Sequence, residues 1–332
     1  MKKASNAIIM YSMSKKVLII GIAGQDGSYL AELLLSKGYE VHGLERESGD
    51  EKKYWRIRHI LDKLIVHTGD VSDYKTVKEL VIKIKPSEIY HLATKHDLPN
   101  SLENYLSIKA INLDSTYFLL SAIKEFSPDS KFFFASSSKV FGNPSISPQN
   151  EETAFKPNSL YGISKVAASA LVKMYREKEG TFACSGILYT HESPRRDPDF
   201  LSRKVTLGAT QIKSGTKDEL KVGDLNAKRD WGYAGDYVEA MWLMLQQDKP
   251  EDFVIGSGEI HTVQELIEVA FGVLDLDWRK YVTVDPEFVR PPEDVEQRAD
   301  ISKAKKVLDW SPKVGFKELV QMMVKKDYQD TQ

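Results

Sequence analysis

Short apolar runs rich in β-branched and aromatic residues alternate with longer segments of helical period through the first half of this chain. VLII at 17–20, EVHGL at 40–44, KLIVHTGDV at 63–71, EIYHLAT at 88–94, KFFFASSS at 131–138 and CSGILYT at 184–190 read as six strands. Their near-continuous hydrophobicity is that of strands buried on both faces. Between them, helical spacing marks a segment after Gly27, SDYKTVKELVIKIK at 72–85, residues 104–125 and residues 160–178. Ser72 or Asp73 is placed to cap the second of these. Strand and helix in strict alternation predict an α/β fold built on a doubly wound parallel sheet.

The second half is less regular. RRDPDFLSRKV (195–205), KVGDLNAKRDWGY (221–233) and FVRPPEDVEQRAD (288–300) are charged and loop-rich, with helical patterns at Asp236 to Gln247 and in VQELIEVAFGVL (263–274). This predicts a Rossmann-type domain over 15–188 plus about 233–256. A smaller, interleaved C-terminal substrate domain is expected over 189–232 and 257–330, with 1–14 as a flexible extension. Such a domain belongs near the carboxyl ends of the strands, where open α/β sheets bind ligands.

Charge narrows the partners. Lys plus Arg is 46 and Asp plus Glu is 48 in 332 residues, a net charge of -2. That balance offers no electrostatic footprint for nucleic acid or an anionic membrane, and no apolar run is long enough to span a bilayer. The single cysteine, Cys184, sits in an apolar stretch and reads as a buried strand residue, which suits a reducing cytoplasm. The seven histidines (42, 59, 67, 91, 96, 191, 261) show no paired ligand spacing, so no metal site is expected.

Two motifs carry chemistry. Gly21, Gly24 and Gly27 fill the junction between the first strand and the first helix. Glycines there let the backbone approach a pyrophosphate, and the helix N-terminus adds unpaired N–H groups and a positive dipole end. Far downstream, Tyr161 and Lys165 lie four apart, on one face of a helix. A nearby ammonium and a nicotinamide cation would both favour tyrosinate, so Tyr161 is expected to exchange a proton with a hydroxyl as hydride moves to or from its carbon. Ser136, Ser137 and Ser138 end the preceding strand and can reach the same oxygen. At the end of the second strand stand Glu45, Arg46 and Glu47. An acidic residue there favours NAD through the ribose hydroxyls, whereas arginine accommodates the 2′-phosphate of NADP; the balance leans to NAD. Asp70 and Val71 are placed to meet the adenine.

From Lys15 onward the chain resembles the extended short-chain dehydrogenase/reductase family and, within it, the GDP-mannose 4,6-dehydratase branch. The resemblance runs through GIAGQDGSYLAELLLSKGYEVHG, KPSEIYHL, HESPRR, NAKRDWGYAGDYVEAMWLMLQ and EDFVIGSGEIHTV. It implies that Gln25, Asp26, Leu92, Ala93, His191 and Arg196 join the glycine turn, Tyr161 and Lys165 around the cofactor. It also implies that Ser138, Thr190, Lys204, Val222, Arg229, Arg290 and Glu293 hold a GDP-linked sugar, with Arg229 and Arg290 suited to the diphosphate. Members of the group form homodimers, often paired into homotetramers, through the helices near 104–125 and 160–178.

The resemblance implies oxidation of the sugar at C4, loss of water across C5 and C6, and return of hydride to C6. In the branch's motif the active-site strand ends Ser-Thr-Ser-Glu, the glutamate serving as acid and base of the elimination. Here the run is Ser136-Ser137-Ser138-Lys139. Ser137 supplies the threonine's hydroxyl, but lysine ordinarily carries a proton at neutral pH. Further departures fall at 93–97 and at Thr190, where the sugar should sit. The leading expectation is therefore hydride transfer at C4 without loss of water, as a 4-keto reductase, dehydrogenase or epimerase. A true 4,6-dehydratase with Lys139 in the glutamate's place is the first alternative, and a non-catalytic sugar-nucleotide-binding subunit the second.

Overall fold

The computed structural model describes residues 14–46, 51–96, 101–289 and 295–331. In chain order the elements are β1 (Lys16–Ile20), α1 (Gln25–Ser36), β2 (Glu40–Glu45), β3 (Ile65–Thr68), α2 (Tyr74–Ile84), β4 (Glu88–His91), α3 (Leu102–Lys109), α4 (Ser115–Phe126), β5 (Lys131–Ala135), α5 (Leu160–Lys178), β6 (Ala183–Leu188) and β7 (Thr190–Glu192). They continue with α6 (Leu201–Lys213), β8 (Leu220–Val222), β9 (Lys228–Arg229), β10 (Trp231–Tyr233), α7 (Ala234–Gln246), β11 (Phe253–Ile255), β12 (His261–Thr262), α8 (Val263–Gly272), β13 (Val282–Val284), α9 (Ser302–Leu308) and α10 (Phe316–Thr331).

Seven strands form one parallel sheet in the order β11-β6-β5-β4-β1-β2-β3. The chain runs outward from β1 to β3, then returns to β4 on the other side of β1. That reversal leaves a crevice at the carboxyl ends of β1 and β4, where Gly21 and Leu92 begin their loops. Successive residues of β1 feed opposite cores. Val17 and Ile19 pack with Leu30, Leu34, Met241 and Met244 of α1 and α7. Leu18 and Ile20 pack with Val77, Val81, Leu119, Ile123 and Val172 of α2, α4 and α5. A third core joins α6, α8, α10 and β8 through Val205, Ala209, Leu220, Ile267, Phe271, Phe316 and Val324.

The six strands and their helices lie where the hydrophobic pattern puts them, with adjustments at the ends. Asp73 caps α2, its carboxylate accepting from the N–H groups of Lys75 and Thr76. Cys184 is fully buried in β6. The run CSGILYT divides, because Thr190 leaves the sheet and pairs with Trp231 of β10. Residues 104–125 do not form one regular helix: a π-helical turn at Ala110–Asp114 joins α3 to α4. Asn112 within it is buried and accepts from Lys95 N–H (2.9 Å), while donating to Lys95 C=O (3.1 Å) and Ser164 Oγ (3.0 Å). The wider turn aims the amide at those partners. Residues 1–13, which contain most of the expected extension, lie outside the described residues. No helix among the described residues is long and apolar enough to cross a membrane.

Phe133 of β5 is 0% exposed, and Gly186 of β6 makes room for it, since a Cβ there would stand 2.8 Å from Phe133 Cζ. Phe133→Ala should cost about 3–5 kcal/mol, read as a lower urea midpoint at unchanged slope.

Candidate active site

The glycine turn is shaped for backbone contact. Gly21 has φ +90°, and a Cβ on it would lie 2.9 Å from Ala93 N. A Cβ on Gly27 would fall 2.2 Å from Gly21 O and 2.7 Å from Ile22 Cα, both backbone atoms that cannot give way. Gly24 begins α1 with no side chain capping the helix. Its first N–H groups and the positive end of the helix dipole thus face the crevice, as a pyrophosphate requires. The donor set and the close backbone fit a dinucleotide.

Side chains around the turn brace it. Ala23 N–H donates to Glu45 Oε1 (2.9 Å), so the acidic residue at the end of β2 clasps the loop from below. Burial raises the Glu45 pKa, partly offset by that N–H. Gln25 Nε2 donates to His191 O (3.1 Å), and Ser193 Oγ donates to Gln25 Oε1 (2.8 Å). Asp26 Oδ2 meets His191 Nε2 at 2.9 Å, and the other ring nitrogen faces Tyr189 O at 2.7 Å. Burial alone would lower the His191 pKa, but Asp26 and the Tyr189 carbonyl outweigh it and hold the ring towards imidazolium. Burial likewise opposes ionisation of Asp26, and His191 overcomes it. The side chains of Gln25, Asp26 and His191 are thus engaged with β7 and its neighbours and set the turn's position.

On the other side of the crevice, β5 delivers the serine run and α5 delivers Tyr161 and Lys165. Ser136 turns into the core, its Oγ 3.0 Å from Ser169 Oγ. Ser137 faces the Tyr161 hydroxyl, and Thr94, from the loop after β4, faces it too; both favour the tyrosinate. Lys165 is 1% exposed, with Nζ donating to Ala135 O at 2.7 Å and lying 5.6 Å from the Tyr161 ring centroid. In the ligand-free protein burial dominates at both groups, raising the Tyr161 pKa and pushing Lys165 down to about 7. Ser138 is buried, and Lys139 follows it in a 3₁₀ turn, its N–H donating to Ser137 Oγ at 3.3 Å.

The remaining sequence-derived positions are less uniform. Asp70 accepts from Ser72 N–H (2.8 Å) and Ser72 Oγ (2.7 Å) beside buried Val71, while Arg46 is exposed at the end of β2. Leu92 and Ala93 close against the glycine turn. Arg196 pairs with Glu192 at 3.1 Å and lies 3.5 Å over the Phe200 ring; Arg195 pairs with Glu32 at 2.5 Å. Lys204 Nζ lies 4.1 Å over the Phe288 ring. Val222 is 1% exposed and its carbonyl accepts from Asp285 N–H (2.8 Å). Arg229 is half-buried in β9, and Thr190 half-buried in β7. Arg290, Glu293 and Glu47 lie outside the described residues. Among the described residues no cluster of three or more His, Cys, Asp or Glu is arranged to hold a metal ion.

Sequence reading places 93–97 where the sugar should sit but gives Thr94, His96 and Asn112 no individual role; all three converge on Tyr161 and its helix. Thr94 Oγ1 donates to Asn112 Oδ1 at 3.1 Å, and the His96 ring centroid lies 6.3 Å from that of Tyr161. Strand order brings them there, because β4 lies beside β5. The departures from the family pattern at 93–97 were the signal available.

Residues 18–323 match the family model of GDP-mannose 4,6 dehydratase. GDP-mannose 4,6 dehydratase 2 of Arabidopsis thaliana is 46% identical, over 94% of this chain and 87% of that protein. GDP-mannose 4,6 dehydratase of Homo sapiens is 41% identical, over 93% and 90%. Among solved structures, UDP-glucose 4-epimerase of Thermotoga maritima superposes with a TM-score of 0.84 at 22% identity, over 96% of this chain and 100% of the other.

Burial of Lys165 has a pH signature. An unfolded lysine keeps its proton to about pH 10.4, whereas Lys165 in the fold gives it up at about 7. Between those values the unfolded chain binds the extra proton, so this group's penalty is greatest below about pH 7 and fades as pH rises towards about 10. Lys165→Met should therefore stabilise the ligand-free protein at pH 7 and below. Its advantage over the parent in urea midpoint should shrink steadily as the pH is raised; an advantage that is constant with pH would contradict the buried neutral amine.

Proposed function

Because the chain belongs to the GDP-mannose 4,6-dehydratase family, we propose that it is an NAD(P)-dependent enzyme that removes water from a GDP-linked hexose by way of a 4-keto sugar. The observation that carries this reading is relatedness over nearly the whole chain, 46% identity across 94% of its length, to a protein named for that reaction. It supports the dehydratase over the reductase or epimerase that the Lys139 substitution first suggests.

The residues suit the steps. The glycine turn and the open end of α1 hold the pyrophosphate, and Glu45 at the end of β2 favours NAD over NADP. A nicotinamide held beside Tyr161 would supply hydride chemistry and a positive charge that would offset the burial penalty on tyrosinate. Tyr161 then takes the C4 hydroxyl proton while Ser137 and Thr94 hold its oxygen. Lys165, anchored on Ala135 O, keeps a donor and a titratable charge beneath the ring. Arg229, with Arg290, serves the diphosphate.

Lys139 favours a second reading. With an ammonium where the motif has a carboxylate, the enzyme would stop at C4 redox chemistry. Mass spectrometry of GDP-mannose after incubation with enzyme and either NAD or NADP separates the two. The expected result is loss of one water, reduced about 10²- to 10⁴-fold in Tyr161→Phe. Cofactor reduction with no loss of water would sink the dehydratase reading in favour of the second.

A second copy of the chain is the proposed partner. Leu102 (73% exposed), Leu106 (53%) and Tyr117 (48%) on α3 and α4, with Ile163 (52%) on α5, leave apolar area on adjoining helices. Clusters of this kind mark association surfaces. Sedimentation should report a dimer or tetramer for the parent and a monomer for Leu106→Glu/Ile163→Glu.

A further inference from the structure

The site has a hydrogen-bonded tyrosine for the C4 hydroxyl, but its motif lacks the carboxylate that would move a proton at C5. We propose that His96 is the proton-transfer group at C5 of the sugar, an inference that rests on the dehydratase reading above. His96 ends the described part of the loop after β4, beside Tyr161. Its ring centroid is 6.3 Å from that of Tyr161 and 5.2 Å from that of Phe200, whose ring it meets edge-on. Phe200 in turn lies under the Arg196 guanidinium. The His96 side chain is exposed. A group beside the Tyr161 ring stands within a sugar ring's width of the oxygen that Tyr161 holds, and C5 is one bond from C4.

Protonation state favours the role. Desolvation by the surrounding protein is the main cause of a His96 pKa below the ordinary histidine value. The charges of Arg196 and Lys165 add to it, while Asp26 and Asp197 oppose. A neutral imidazole can accept a proton, whereas a lysine ordinarily arrives at neutral pH already carrying one. Other groups near Tyr161 are committed: Asp26 to His191, and Ser137 and Thr94 to the tyrosine hydroxyl.

The step balances without a further reactant. Once C4 is a ketone, the C5–H bond is acidified. The imidazole takes that proton, the bond's electron pair becomes the C5–C6 double bond, and the C6–O bond breaks. The imidazolium returns its proton to the departing hydroxyl, so water leaves and the ring is neutral again. No electron passes to or from the protein.

The test uses holoenzyme with GDP-mannose in heavy water, reading deuterium at C5 by NMR and reduced cofactor by absorbance. His96→Asn should lose C5 exchange and product by about 10²- to 10⁴-fold yet still reduce cofactor on the first turnover; His96→Gln, nearer in length, should behave alike. In the parent, exchange should rise with pH through an ionisation below the usual histidine value, a limb absent from both variants. Exchange at the parent's rate in either variant overturns the proposal, as does a loss confined to Lys139→Met. A parent that neither reduces cofactor nor exchanges C5 refutes the dehydratase reading, and this proposal falls with it; normal cofactor reduction with unaffected exchange in the variants refutes His96 alone.

Discussion

Everything at this site depends on backbone meeting backbone at the carboxyl ends of β1 and β4. Gly21, at φ +90°, lies so close to Ala93 that a single added carbon would stand 2.9 Å from its nitrogen, and Gly27 is closed in by Gly21 and Ile22. That closeness aligns the uncapped start of α1 with the crevice. It also sets the loop after β4, which carries Thr94 and His96, against the glycine turn. Glu45 below and the Gln25–Asp26–His191–Ser193 network beside it hold the arrangement from two directions. Cofactor geometry and proton-transfer geometry are consequences of one packed junction.

The second constraint is burial. Tyr161 and Lys165 are withdrawn from water far enough that burial favours the neutral form of each, and among the described residues no carboxylate is paired with the lysine. This costs stability in the ligand-free protein and leaves both groups poised for a cation to arrive beside them. Preorganised, desolvated groups of this kind respond strongly to a charge placed nearby. A cation bound beside Tyr161 would offset the burial that now opposes its ionisation.

Most of the architecture was legible before any coordinates. Buried parallel strands are apolar along their length, so VLII, EIYH and KFFFA announce themselves, and Asp73 caps α2 as its position implies. Less legible were features that answer to distant partners. In the π-helical turn at Ala110–Asp114, Asn112 bonds Lys95 and Ser164, both far from it along the chain. The three-residue β11 carries too little pattern to be placed on a sheet edge. Val222 is buried and its carbonyl accepts from Asp285 N–H, a partner 63 residues further along the chain.

By itself, the sequence determined the doubly wound sheet, the glycine turn, the Tyr161–Lys165 pair and the loss of a carboxylate at position 139. Each of these is local: a period, a spacing or a residue type in a motif. Only the tertiary structure decided which neighbours share the cleft and which way burial moves their protons. It turned Ser136 away and Ser137 inward, made braces of Gln25, Asp26 and His191, and set His96 against Tyr161 across 65 residues of chain. The reason is that proximity in a parallel sheet follows strand order, and desolvation follows what packs overhead; neither is written in the residues next door.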